Sequence, residues 1–157
     1  MPNSIDISRL KDTELLGLYA DLMEELRHRG ILRTSNNPVA DYAEYVAVER
    51  LHLIRSEKEE KGCDATDNKG KRYQIKGRRL TRHNASRQLG VIRNIEKDLF
   101  NSLIVVIFAE HFELMEIWQI SISFVKAHSS WSEHQHGHIF IADKSLLEHA
   151  KGVVRIF

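Results

Sequence analysis

The chain has one cysteine, two prolines and eight glycines in 157 residues. Cys63 has no partner in the chain, so neither an internal disulfide nor a thiolate zinc knuckle is available. So few prolines and glycines exclude collagen-like and low-complexity chains, and 42% apolar residues suffice for a packed interior. Long apolar runs are missing too. The longest strongly apolar one, at 103–109, is seven residues, whereas a membrane-spanning helix needs about 20. The start is polar and has no signal-peptide core, so the expected location is cytoplasmic, with no membrane partner. A single domain, 1–157, is expected.

Negative charge is absent from residues 68–87. That stretch holds Lys69, Lys71, Arg72, Lys76, Arg78, Arg79, Arg82 and Arg87. The net charge of +1 therefore hides an acidic body, with 15 basic residues against 22 acidic ones, and one basic strip. Phosphate contacts by such a strip release counterions and supply sequence-independent affinity for a polyanion. A solvated charged face is the plain alternative.

Helical spacing of Leu15, Leu18, Tyr19, Leu22, Met23 and Leu26, with Asp12 as cap and Gly30 at the end, predicts a first packing helix. Asn37 and Pro38 open a second, running to about residue 53. After a charged connector at 55–61, residues 62–67 and 71–77 read as a hairpin. Its three-residue loop, Asn68, Lys69 and Gly70, sets Asp67 opposite Lys71 and Asp64 opposite Gln74. Period-two alternation then places Cys63, Ala65, Tyr73 and Ile75 on one face and Asp64, Thr66, Arg72, Gln74 and Lys76 on the other. A third helix is expected from Asn84 through Leu89, Ile92 and Ile95, although Gly90 interrupts it. Strands at 102–109 and 114–120 follow. The end reads as a short helix at 124–128, a strand at 138–142, a helical turn at 145–150 and a strand at 153–157. Mixed helices and strands indicate an α/β or α+β domain.

Chemistry concentrates on one hairpin face. Asp64 offers a carboxylate and Gln74 a carbonyl oxygen, the hard donors that Mg2+ takes together with water and substrate phosphate. Lys76 projects from the same face, placed to position a nucleophile and offset phosphate charge. Glu44, with Ala40, Ala47, Val48 and Leu51 as helical neighbours, is the candidate second carboxylate. The plain readings are a cross-strand ion pair between Asp64 and Lys76, and a first-turn or capping-box acid for Glu44, three residues after Asp41. His134, His136 and His138 alternate as strand residues would, but no fourth ligand stands nearby, so exposed polar histidines are the expectation. Trp118 and Trp131 read as core or interface residues.

Asp41-Tyr-Ala-Glu44-Tyr, Gly62-Cys-Asp64-Ala and Tyr73-Gln74-Ile-Lys76-Gly-Arg78-Arg79 together resemble the divided signature of the PD-(D/E)xK nuclease superfamily. The order matches: a helix acid, a strand Asp, then a (D/E/Q)xK tripeptide on the adjacent strand. The whole chain further resembles a small bacterial family of this restriction-endonuclease-like arrangement, through Asn37-Pro-Val-Ala-Asp-Tyr-Ala-Glu and Ser86-Arg-Gln-Leu. The resemblance implies a central mixed sheet flanked by helices, with the site on an antiparallel hairpin and residues 1–36 as a helical extension packed on the domain. It implies phosphodiester hydrolysis in DNA, of restriction or repair type. Glu44, Asp64 and Gln74 would surround Mg2+, with Mn2+ as a substitute, and Lys76 would lie beside the attacking water. Lys71, Arg78, Arg79, Arg82 and Arg87 are the expected nucleic-acid contacts. Gln74 departs from the common acid, as in Mrr-like nucleases, and removes one negative charge from the metal's surroundings. Two alternatives follow: a non-catalytic nucleic-acid-binding module, and an interaction subunit of a defence or phage assembly. Cutting both strands calls for two sites, so a homodimer is the expected assembly.

Overall fold

Residues 6–57 and 62–157 are described by the computed structural model, and most of the expected charged connector lies outside them. Helix α1, Asp12–His28, starts one residue earlier than the Asp12 cap implied: Lys11 is the cap, and Glu14 reaches back to accept its N–H at 2.7 Å. Gly30, at φ +73°, ends it. Helix α2, Pro38–Leu51, begins as expected, with Asn37 Oδ1 accepting the Val39 N–H. Asp41 does no capping. Its carboxylate takes the N–H groups of Arg33 and Thr34 and ties the preceding loop to the helix.

Strands β1 (Ile54–Arg55), β2 (Ala65–Thr66), β3 (Arg72–Arg79), β4 (Ser102–Phe108) and β5 (Leu114–Ser121) come next. Helix α3 (Ile122–His128), strands β6 (Ser130–Ser132) and β7 (Gly137–Ile139), helix α4 (Lys144–Leu147) and strand β8 (Val153–Arg155) close the chain. The main sheet has the order β1-β2-β3-β4-β5-β8, with β3 and β4 parallel and the other neighbours antiparallel; β6 and β7 form a separate pair. This is a mixed α+β architecture. No helix among the described residues is long and apolar enough to cross a membrane.

Strand β4 is buried throughout, and its alternating residues build two cores. Ile104, Val106 and Phe108 pack under α2 with Ala43, Val46, Ala47, Ala65, Tyr73 and Ile75. Leu103, Val105 and Ile107 pack on the other face with Trp118, Ile120, Val125 and Phe140. Helix α2 crosses β3 at Gly77, where an added Cβ would lie 2.5 Å from the Ala43 Cβ and 2.8 Å from the Val39 carbonyl oxygen. Only glycine permits so close a crossing, and it brings Glu44, next to Ala43, down to the sheet.

One expectation is corrected. The helix from Asn84 to Ile95 is absent: the segment runs irregularly, with one 3-10 turn at Ile95–Lys97. Its backbone pairs instead with residues 138–140, through Leu89 N–H to the Phe140 oxygen and reciprocal bonds between Ile92 and His138. Leu89, Ile92 and Ile95 are buried as a helical face would be, but as anchors of a covering strap. In the N-terminal extension Leu32 is buried and Leu15, Leu18, Leu26 and Ile31 are half-buried. Of α1, only Met23 is buried.

Candidate active site

The hairpin forms in the expected register, with Ala65 opposite Tyr73 and the Asp67 N–H donating to the Lys71 oxygen. Gly70, at φ +80°, closes the loop, and Asp67 Oδ1 accepts the N–H groups of Lys69 and Lys71. Strand β2 is only two residues long. Where it ends, Asp64 Oδ2 takes the Ile75 N–H at 2.6 Å, so a side chain continues the ladder. The same oxygen accepts a hydrogen bond from Gln74 Nε2. Asp64 is thus fixed at the opening between β2 and β3, joined to Gln74.

Gln74 and Lys76 lie opposite Leu103 and Val105, hence on the sheet face away from α2. Asp64 and Lys76 are both half-buried. Burial, reinforced by the Glu44 charge, pushes the Asp64 carboxyl up to about 6, against the bond from Ile75, the Lys76 charge and the bond from Gln74. Burial also lowers the Lys76 pKa, helped by the Arg93 charge and opposed by Asp64 and Glu44. Glu44, Asp64, Lys76 and Arg93 therefore form one electrostatic cluster.

Glu44 enters it with a prior engagement. Its Oε2 accepts from Arg55 Nη2 at 2.9 Å and lies 3.7 Å from Arg33 Nη1. Among the described residues, no three His, Cys, Asp or Glu side chains come together as a metal-holding group. Asp64 and Gln74 offer oxygen donors on the hairpin, while Glu44 comes from α2, on the other face of the sheet, and acts on Asp64 through its charge. That set suits Mg2+, which commonly binds through one or two carboxylates and keeps water and substrate oxygens for the rest.

The basic strip is distributed rather than continuous. Arg82 is the open member, its side chain 77% exposed and 3.6 Å from Glu110. Arg78 bonds the Ser86 oxygen at 2.7 Å and Asn84 at 3.0 Å, while Arg79 lies over the Phe112 ring and Lys71 over Tyr73. Arg78 and Arg79 line a cleft with Asn37, Gly77 and Asn84. Arg87 does not belong with them: its guanidinium bonds both Glu116 oxygens, at 2.5 and 3.2 Å, and the Ala142 carbonyl at 2.6 Å. All three of its donor nitrogens are committed inside the fold.

The three histidines share no strand face. His136 occupies a turn at φ +49°, and of the three only His138 belongs to a strand, β7, with its ring edge-on to Trp131. Trp118 is core, whereas Trp131 is 53% exposed. Sequence reasoning missed Arg33, Arg55 and Arg93. The first two carry no local signal, and the helix expected at 84–95 concealed that the Arg93 charge would act on Lys76. Comparison with protein-family models finds no match, and comparison with curated proteins finds none either.

Proposed function

We propose that this chain is a Mg2+-dependent phosphodiesterase acting on DNA, an endonuclease of restriction or repair type, centred on Asp64, Gln74 and Lys76 with Glu44. The observation that carries the reading is a half-buried carboxylate, Asp64, bonded to the Gln74 amide and to the Ile75 N–H of the neighbouring strand, with the half-buried Lys76 ammonium acting on it through its charge. Burying opposite charges costs desolvation that their attraction barely offsets, so such pairs collect where chemistry uses them.

Asp64 and the Gln74 carbonyl oxygen would hold the divalent ion, with Glu44 acting through its charge. When bound, it supplies Lewis acidity at the scissile phosphate and a water of lowered pKa. Lys76 donates hydrogen bonds to the attacking oxygen or to a phosphoryl oxygen and offsets the negative charge that grows there. Arg93 adds a second positive charge on that side. Arg82, with Arg78 and Arg79 beside it, holds the phosphate backbone without reading sequence. Arg55 and Arg33 keep Glu44 oriented.

Incubation with supercoiled plasmid and Mg2+ tests this. Wild type is expected to nick, and Asp64→Ala and Lys76→Ala to lose about a hundredfold or more in rate. No nicking by wild type, or equal nicking by the variants, removes the proposal. A second reading, a non-catalytic nucleic-acid-binding module, draws support from the engagement of Glu44 by two guanidiniums and the neutral Gln74. DNA binding unchanged by EDTA, with no cleavage under any divalent ion, would favour it.

A further inference from the structure

Helix α1 carries an apolar seam that the described residues cover only in part, Leu15, Leu18 and Leu26 being half-buried. Leu15, Tyr19, Leu22 and Leu26 recur at i, i+4, i+7 and i+11, flanked by Leu16 and Leu18. Leu16, Tyr19 and Leu22 are 68%, 54% and 53% exposed, a cost in apolar hydration that an isolated helix does not recover. Near the C-terminal end of the same helix lies a second apolar surface, a groove of about 340 Å³ lined by Leu26, Ile31, Leu32, Pro38, Tyr42 and Phe112.

These two surfaces complement each other only if the helix meets another copy of itself head to tail. An antiparallel pair crossing near Ala20 and Asp21 sets Leu15 of one copy against Leu26 of the other, and Tyr19 against Leu22. The leucines of each N-terminal half then arrive at the partner's groove. The charges agree with that register. Asp12 and Glu14 of one copy fall beside Arg27 and Arg29 of the other on the two flanks, and the two-fold axis repeats both contacts. A parallel pair would set like charges together. Arg27 and Arg29 now make exposed intrahelical pairs with Glu24 and Glu25, at 2.9 and 2.7 Å, which such contacts join or replace at little cost. We propose that α1 is the interface of a symmetric dimer of this chain, its antiparallel seam filling the groove beside each partner's Leu26.

Oligomeric state can be read without DNA or metal, so this proposal and the proposed activity fail separately. Analytical ultracentrifugation is expected to show twice the 18.2 kDa chain mass. Leu16→Glu with Leu22→Glu, both at exposed positions, is expected to weaken association at least tenfold while circular dichroism stays unchanged. The variant Asp12→Arg/Glu14→Arg and the variant Arg27→Glu/Arg29→Glu should each be monomeric alone, and their mixture should restore the dimer. A wild-type monomer at a concentration on the order of 0.1 mM overturns the proposal. So does a dimer indifferent to the leucine substitutions, or a mixture of charge variants that stays monomeric.

Discussion

Asp64 is held in a form that the fold by itself disfavours. Its carboxyl is pushed to about 6 from an ordinary 3.8, so the native state binds this proton more tightly than the unfolded chain does. The sign follows: near pH 4 and below the group costs nothing, the penalty grows as pH rises toward 6, and above that it is complete, on the order of 1–3 kcal/mol. Asp64→Asn keeps an acceptor for the Ile75 N–H without the charge. Thermal denaturation in metal-free buffer should therefore give the variant the higher midpoint at pH 8, with the difference vanishing toward pH 4. Added Mg2+ should raise the wild-type midpoint and leave that of the variant where it was. A variant less stable than wild type at pH 8 would contradict this account. Arg87 represents the opposite case, a charge kept for structure. Burial would raise the Glu116 pKa, but bonds from Arg87 and Trp118 and the Arg87 charge outweigh it and hold the group low. Removing Arg87 strands a buried carboxylate, so Arg87→Ala is expected to cost about 3–5 kcal/mol in urea unfolding.

At the scale of elements, the decisive contact is α2 on β3. The residues that make it were legible in part: Asn37 and Pro38 announce the helix and alternation puts Tyr73 and Ile75 on one face, which the fold sets beneath α2. The distance of approach was not, because it depends on one missing Cβ at Gly77 meeting one particular helix residue, Ala43. Gly77→Ala is expected to lower stability by about 1–3 kcal/mol through overpacking, and to lower any nicking rate by lifting Glu44 away from Lys76. Unchanged urea midpoints would show that the crossing is looser than described. The segment at 84–95 teaches the reverse lesson. Its apolar spacing satisfies a helix and a strap equally, and the backbone of residues 138–140, more than forty positions away, decides between them.

Across the whole molecule, the basic strip of the sequence separates into roles that only folding assigns. Arg87 becomes an internal strut, Lys71 and Arg79 lie over aromatic rings, and Arg82 stays open to solvent. If DNA is the partner, Arg82→Ala should reduce the slope of log affinity against log salt by about one unit, a change that filter binding at several salt concentrations would register. An unaltered slope would place the DNA path elsewhere. By itself, the sequence determined what is local or periodic: the N-terminal cap and approximate span of α2, the three-residue hairpin loop and its register, the doubly buried β4, and the common face of Gln74 and Lys76. Those depend on turn chemistry and two short periods, which neighbouring residues carry. Tertiary structure alone decided the engagement of Glu44 by Arg55 and Arg33, the influence of the Arg93 charge on Lys76, the withdrawal of Arg87 and the partial exposure of the α1 seam. Each of these depends on which remote surface fills a space, and no local spacing encodes that.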